Sequence, residues 1–261
     1  MKLIGKTIAP NGRQRIYFFG FRVASWNAKK QKNARLPDLI AAAIADPLGL
    51  GGLELKLWNL GVPRQFHHLF YEMPAGAVCI DCGANAGKFT DAVLHQGGIS
   101  YAFEPNAALF NLLERKYAGN SRVRLFKAAV GARDGMAMFH LPVGMRADPV
   151  AVCEEGTLLS HRQRMDLQPA DEVKVMDLAG FLKREFGVFS SEPPVWLIKL
   201  DIEGCEFEVV ERLVAEQAHR FARHIVVETH ERFFADREKR LERLRNTISA
   251  AGADNIELGW L

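Results

Sequence analysis

From residue 77 onward the chain alternates short apolar segments with longer amphipathic ones, and this alternation restricts the fold more than any other feature. The apolar segments, such as AVCID (77–81) and VWLIKLD (195–201), have the length and composition of buried β-strands. Amphipathic segments such as AALFNLLERKYA (107–118) lie between them. Strands that alternate with helices of about ten or more residues predict an α/β fold with a doubly wound, mostly parallel sheet flanked by helices.

The middle of the chain adds two predictions to this pattern. VRLFKAAV (123–130) is predicted to form one strand, and MAMFHLPV (136–143) a further strand after the turn at RDG. Residues 144–170 are polar and irregular. An irregular segment of this length within a compact domain is typical of a functional loop.

The first 73 residues differ from the rest, and we predict a basic and helical N-terminal extension (1–73) before the main domain (74–261). Residues 1–37 contain nine lysines and arginines and no acid. Within them RIYFFGFRVASW (15–26) has the pattern of a hairpin, and residues 36–74 have that of helical segments. The simpler interpretation, which the composition favours, is a solvated basic leader, and the alternative is an arm that contacts a membrane surface or an acidic glycan. Nucleic acid is not expected, because the remaining chain is acidic.

The sequence indicates a reducing, cytoplasmic location. Its apolar runs are too short to span a bilayer, and the N-terminus lacks the apolar core and cleavage site of a secretory signal. The four cysteines do not have the spacing of a disulfide framework. Cys79 and Cys82 form a C-x-x-C pair, but residues three apart on a strand point to opposite faces. We therefore expect them to pack rather than react.

The strand at 77–81 leads through a glycine-containing turn, GANAG (83–87), into a helix, an arrangement that binds nucleotide-type cofactors. A dinucleotide fingerprint would require glycines at the positions of Asn85 and Lys88. An asparagine there argues against a bound pyrophosphate and permits a smaller anion, such as an amino-acid carboxylate. Glu104 ends the next strand, where an acid binds both hydroxyls of a ribose. These features favour S-adenosylmethionine (SAM), with a nicotinamide dinucleotide as the alternative.

Six motifs, in order over about residues 74–234, resemble the FkbM family of SAM-dependent methyltransferases. The motifs are VCIDCGANAGKFT, YAFEPN, LFKAAVGARDG, VKVMDLAGFL, IKLDIEGCEFEVVERL and IVVETH, of which KLDIEGCE is the most specific part. The resemblance implies a Rossmann-like fold and O-methylation of a hydroxyl on a sugar or a polyketide. The N-terminal RIYFFGFRV is also similar to the start of bacterial surface-polysaccharide enzymes, which favours a role in polysaccharide biosynthesis.

The resemblance also implies two sets of site residues, one for the cofactor and one for the acceptor. The acceptor side is the signature Lys199, Asp201, Glu203 and Glu206, with Glu228 at the next strand end. Of these, Glu206 and Glu228 are expected to bind the substrate. The SAM-binding set that it implies is Asp81, Gly83, Asn85, Gly87 and Glu104, and the loop and the strand ends add Ala84 and Ala129 to this set.

A sugar hydroxyl is a poor nucleophile until its proton leaves, so the acceptor side needs a catalytic group. Asp201, at a strand end opposite the glycine loop, is the first choice as base, and His230 is the second. Lys199 points to the same side of its strand as Asp201 and is expected to pair with it, while Glu203 begins the next helix. As an alternative, Asp201, Glu203, Glu228 and His230 would bind Mg²⁺ or Ca²⁺. The sequence favours the direct base over the divalent cation.

These inferences predict a SAM-dependent O-methyltransferase that acts on a sugar, a glycan or a glycosylated metabolite. The alternatives are an NAD(P)-dependent oxidoreductase and a non-catalytic methyltransferase-like module in glycan assembly. NIELGWL (255–261) supplies one strand where this fold usually closes with a hairpin. We expect such an exposed edge to favour a homo-oligomer.

Overall fold

The structure is a computed structural model of the chain. It describes residues 4–8, 13–18, 21–27, 56–142, 156–160, 166–188 and 192–260. The chain forms two compact units, Met1–His68 and Leu69–Leu261. The helical segments expected between residues 36 and 55 lie outside the described residues.

The N-terminal unit contains a three-stranded antiparallel sheet. Its strands are β1 (Ile4–Ile8), β2 (Arg13–Phe18) and β3 (Phe21–Asn27), paired in that order. The pairing of β2 with β3 confirms the hairpin predicted within residues 15–26, and β1 extends it by one strand.

A six-stranded sheet, parallel throughout, forms the centre of the second unit and confirms the predicted doubly wound fold. Its strands are β4 (Val78–Cys82), β5 (Ile99–Phe103), β6 (Val123–Phe126), β10 (Val195–Leu200), β11 (Ala222–Val227) and β12 (Ile256–Leu258). Their spatial order is β12-β11-β10-β4-β5-β6, so the chain starts in the middle, moves to one edge and then returns to fill the other. The order therefore reverses between β4 and β10.

The connections between these strands are mostly helical. Short 3₁₀ turns lie at Ala218–Phe221 and Glu231–Phe233, and a further one, at Arg64–Phe66, precedes β4 in the chain. In the described part of the chain, no helix has the length and apolar character needed to cross a membrane. The helices are α1 (His67–Tyr71), α2 (Lys88–His95), α3 (Ala107–Lys116), α4 (Leu178–Phe186), α5 (Glu206–Ala215) and α6 (Arg237–Ala250).

The core lies between this sheet and its helices. The central strands are buried on both faces, as expected for a parallel sheet covered by helices on each side. Ile80 and Ile198 pack in one large cluster with Phe207 of α5. Cys79 and Cys82 are completely buried in β4, and burial raises the pKa of both thiols. This environment agrees with the packing role expected for them.

A second, three-stranded sheet corrects two expectations. Its strands are β7 (Ala129–Gly131), β8 (Gly135–Pro142) and β9 (Leu167–Asp177), with β9 in the middle, parallel to β7 and antiparallel to β8. The prediction of one strand over 123–130 is wrong, because the chain turns after Phe126 and β7 leaves the main sheet for β9. The prediction that irregular structure continues to residue 170 is also wrong. From Leu167 onward the chain pairs with β8 and forms strand β9.

Candidate active site

A cleft opens at the carboxyl ends of β4, β5 and β10, beside the reversal of strand order. Ligands of doubly wound sheets bind at this switch point. The cleft contains ≈ 600 Å³ of space between its lining residues, part of it open to solvent. Six residues predicted from the sequence line it: Gly83, Asn85, Glu104, Ala129, Asp201 and Glu203.

The loop after β4 passes against the end of β10, and this close approach requires Gly83. Its φ is +80°, and a Cβ there would lie 1.9 Å from the carbonyl oxygen of Asp201. The backbone amides of Gly83 and Ala84 donate to the carbonyl oxygen of Phe103, at 3.1 and 2.9 Å. The loop is thereby tied to the ends of both neighbouring strands.

Glu104 is buried at the end of β5 and holds the glycine loop from the other side. Its two carboxylate oxygens accept from the backbone amides of Asn85 and Asn106, each at 2.8 Å. Asn85 has a φ of 51°, a left-handed conformation that asparagine tolerates. Burial raises the pKa of Glu104 to about 7, against the opposing effect of these two hydrogen bonds. Each carboxylate oxygen keeps a lone pair for another donor, such as a ribose hydroxyl.

Gly87 precedes α2 and is enclosed by Tyr117. A Cβ at Gly87 would lie 2.3 Å from the Tyr117 hydroxyl oxygen, which is 2.8 Å from the carbonyl oxygen of Gly87. Gly87 and Ala84 are not among the residues that line the cleft. We therefore expect both to shape the loop rather than contact the cofactor.

Asp81 is completely buried at the end of β4 and faces Lys199 of the adjacent strand β10. The Lys199 Nζ lies 3.4 Å from Asp81 Oδ1, 3.1 Å from Asp201 Oδ2 and 3.0 Å from the carbonyl oxygen of Gly83. Three acceptors match the three protons of an ammonium. Burial alone would lower the pKa of Lys199, but Asp201 and Asp81 raise it above its usual value. Lys199 therefore stays charged, and we infer that it positions the loop and both acids.

The signature segment after β10 forms a turn with two left-handed residues. Glu203 has a φ of 60° and Gly204 one of 115°. A Cβ at Gly204 would lie 2.4 Å from Cδ1 of Leu159, and the Thr157 hydroxyl donates to the carbonyl oxygen of Glu203 at 2.7 Å. Glu206 closes the turn by accepting from two of its backbone amides, at 2.9 Å each. These contacts fix the direction of the acidic side chains at the cleft.

His230 and Glu206 are completely buried and form a pair behind this turn. The distance from His230 Nδ1 to Glu206 Oε1 is 2.8 Å. A carboxylate can only accept a hydrogen bond, so Nδ1 carries a proton and donates the hydrogen bond to Glu206. Neither side chain lines the cleft. We therefore expect Glu206 to position His230 rather than bind the acceptor.

Three further carboxylates face the other ring nitrogen of His230. Its Nε2 lies 3.4 Å from Glu203, 3.6 Å from Glu228 and 3.8 Å from Asp201. Burial alone would lower the pKa of His230, but the bond to Glu206 and the surrounding charges raise it to about 9. An imidazole that is protonated at neutral pH does not accept a second proton, which weakens His230 as a base. Burial and repulsion from Asp201 raise the pKa of Glu228 to about 7.

Other residues of the site do not follow from the sequence motifs. Thr90 is completely buried and donates to Asp81 Oδ2 at 2.8 Å, while Phe139 and Leu158 line the cleft. Thr157, described above, also has no recognisable signal. Asn106 does have a sequence signal, because an asparagine before an amphipathic segment is typical of a helix N-cap. In the structure its side chain accepts hydrogen bonds from backbone amides in the first turn of α3.

The fold is that of a Rossmann-like α/β domain with an open cleft at the switch point of its sheet. In a comparison with family profiles, residues 81–254 match the methyltransferase FkbM domain. The match spans about two thirds of the chain, so the chain belongs to the FkbM family of SAM-dependent methyltransferases. This confirms the resemblance seen in the sequence motifs.

Among solved structures, the chain is similar to a SAM-dependent methyltransferase from Leishmania major. The sequence identity is 13%, the alignment covers 97% of this chain and 87% of that chain, and the TM-score is 0.31. A TM-score this low carries no argument about the fold or the site. The search of curated proteins found no significant match.

Proposed function

We propose that this protein transfers the methyl group of SAM to a hydroxyl of a sugar, a glycan or a glycosylated metabolite. The observation that carries this proposal is that Asp201 and Glu203 line the same cleft as Glu104 and the glycine loop. Carboxylates on the acceptor side suit an alcohol, which must lose a proton as it is methylated. They also accept hydrogen bonds from the neighbouring hydroxyls of a sugar.

The described residues fit SAM better than a dinucleotide. Glu104 keeps free lone pairs for two ribose hydroxyls, as described above. The Asn85 side chain accepts from the backbone amide of Ala86 at 2.7 Å, so this amide is not free to bind a phosphate. In a pyrophosphate-binding loop, such amides face the ligand.

The chemistry divides between the two sides of the cleft. SAM supplies an electrophilic methyl group, and as the C–O bond forms the C–S bond breaks and its electron pair stays on sulfur. Glu104 and the loop at Gly83 hold the nucleoside, which leaves Asp201 on the acceptor side. The Asp201 side chain is 27% exposed and is held by Lys199. We propose that Asp201 is the group at which the acceptor hydroxyl is activated.

The experiment is methyl transfer from SAM with an isotope-labelled methyl group, using sugar-containing and sugar-free fractions of a cell extract as acceptors. We expect label in the sugar-containing fraction as a methyl ether, which survives mild base. Label in base-labile esters, on nitrogen or only in the sugar-free fraction would contradict the proposed acceptor class.

A further inference from the structure

We propose that Asp201, Glu203 and His230 bind one divalent first-row transition-metal ion at the edge of the cleft. The site rests on the geometry of these three side chains. Its role in activating a hydroxyl rests in addition on the proposed function.

The distances between the three side chains suit ligands of a shared ion. One atom of each lies within 4.8 Å of the other two. His230 Nε2 is 3.4 Å from Glu203 Oε2 and 3.8 Å from Asp201 Oδ1, longer than an N–H···O hydrogen bond of about 2.9 Å. Two ligands held at about 2.0–2.2 Å from a tetrahedral ion are about 3.3–3.6 Å apart. The observed distances are close to this range.

The orientation of His230 is independent evidence for a ligand. Its Nε2 is buried, has no hydrogen-bond partner among the described residues and faces the carboxylates. Because Nδ1 donates to Glu206, the proton that a metal ion would displace is the one on Nε2, and its loss leaves the Nε2 lone pair for the ion. Histidines that bind metals almost always donate the other ring N–H to a carboxylate or a carbonyl. Glu206 is in that position, and the turn amides hold its carboxylate in place.

The charges around His230 also favour a cation. Four carboxylates each have an oxygen within 3.8 Å of one of its ring nitrogens. Lys199 pairs with one of them at 3.1 Å, and Arg232 lies 3.8 Å from another. The remaining excess of negative charge would be offset by a divalent ion. The four carboxylates belong to Asp201, Glu203, Glu206 and Glu228.

The donor atoms indicate the class of metal. Mg²⁺ and Ca²⁺ prefer oxygen ligands alone, whereas imidazole suits Zn²⁺ and other first-row transition metals. One imidazole with two carboxylates therefore favours ions such as Mn²⁺ or Zn²⁺ over the Mg²⁺ or Ca²⁺ considered from the sequence. Glu228, the fourth residue of that earlier set, is not part of the group of three.

The place of the ion suggests its role. Asp201 and Glu203 also line the cleft, so an acceptor hydroxyl can complete the coordination. A bound metal lowers the pKa of a coordinated hydroxyl, whose proton passes to water. The oxygen then forms the C–O bond while the C–S bond breaks and sulfur keeps the electron pair. Asp201 is a ligand in this proposal and not the proton acceptor that the sequence favours.

The first test uses the full chain after exhaustive treatment with EDTA. Mn²⁺ binding is followed by electron paramagnetic resonance and Zn²⁺ binding by calorimetry, and we expect one ion per chain. Pulsed resonance of the Mn²⁺ complex should show coupling to an imidazole nitrogen. Absence of binding, or bound Mn²⁺ without nitrogen coupling, would overturn the proposal even if no variant could be prepared.

The second test compares variants. Glu203→Gln and His230→Gln should each weaken Mn²⁺ binding by more than about tenfold, because each removes a ligand or its charge. Glu242→Gln, the same change on an exposed position of α6, should leave it unchanged. Equal Mn²⁺ affinity in the wild type and in all three variants would mean that the ion binds elsewhere and would refute the proposed site.

Binding of S-adenosylhomocysteine (SAH) to the same samples separates this proposal from the proposed function. SAH binding and methyl transfer that persist after EDTA treatment would refute the role of the metal and leave the methyltransferase function intact. The opposite outcome is that EDTA abolishes methyl transfer, that Mn²⁺ or Zn²⁺ restores it, and that SAH binding does not change. This outcome would support both the metal site and its role.

Discussion

Asp201→Asn is expected to lower the rate of methyl transfer by about 10²–10⁴-fold, the size of effect seen when a group that acts on the reacting proton is lost. Asparagine preserves the size of the side chain and one acceptor oxygen. It carries no charge, so it neither takes a proton nor binds a hard cation well. SAH affinity should change by less than about threefold, because Glu104 and the loop remain and Lys199 keeps its contacts with Asp81 and Gly83.

The measurement is single-turnover methyl transfer together with calorimetric titration of SAH. Asp254→Asn makes the same chemical change at an exposed position and serves as the matched control. If Asp201→Asn turned over at the wild-type rate, Asp201 would have no part in activating the acceptor, and both the direct base and the metal ligand would be excluded.

Glu104→Gln is expected to weaken SAH binding by about 10–100-fold, since it replaces charge-assisted hydrogen bonds to the ribose by neutral ones. The side-chain nitrogen of glutamine cannot accept a hydrogen bond, so one of the two backbone amide donors, that of Asn85 or that of Asn106, would also lose its acceptor. Glu114→Gln, on an exposed position of α3, is the matched control and should bind SAH as the wild type does. Unchanged calorimetric affinity in Glu104→Gln would remove this residue from the cofactor site.

The same residue predicts how SAH affinity depends on pH. Burial raises the pKa of Glu104 from 4.5 to about 7, and ribose hydroxyls donate to its ionised form. The affinity of the wild type for SAH should therefore be constant above this pKa. Below it the affinity should decrease as the pH falls, with a slope that approaches about tenfold per pH unit. Glu104→Gln has no carboxyl group at this position, so its affinity should lose this dependence.

The sequence predicts which residues meet at the carboxyl ends of β4 and β5 because the determinants of this arrangement are local. Gly83, Asn85 and Gly87 are close in the chain, and their spacing reflects backbone conformations that glycine and asparagine adopt readily. Glu104 ends a strand that pairs next to β4, and parallel strands bring their carboxyl ends to the same edge. The main sheet therefore places these residues together without further information.

The surroundings of Glu206 and His230 depend on contacts that the sequence pattern does not contain. Glu206 and His230 are polar residues at a helix start and a strand end, positions that are usually exposed, yet both are completely buried. Their burial follows from the turn at Glu203 and Gly204, which Thr157 and Leu159 cover from a distant part of the chain. The separation of β7 from β6 has the same origin, since pairing with β9 is a long-range contact.

A calorimetric titration of the wild-type chain with SAH and, separately, with NAD⁺ and NADH tests which cofactor the cleft binds. We propose that the cleft at the ends of β4, β5 and β10 binds a nucleoside cofactor that has no pyrophosphate. We predict one SAH per chain with a dissociation constant in the micromolar range, about −8 kcal/mol, and no heat from either dinucleotide. Saturable binding of NAD⁺ or NADH with none of SAH would contradict the claim.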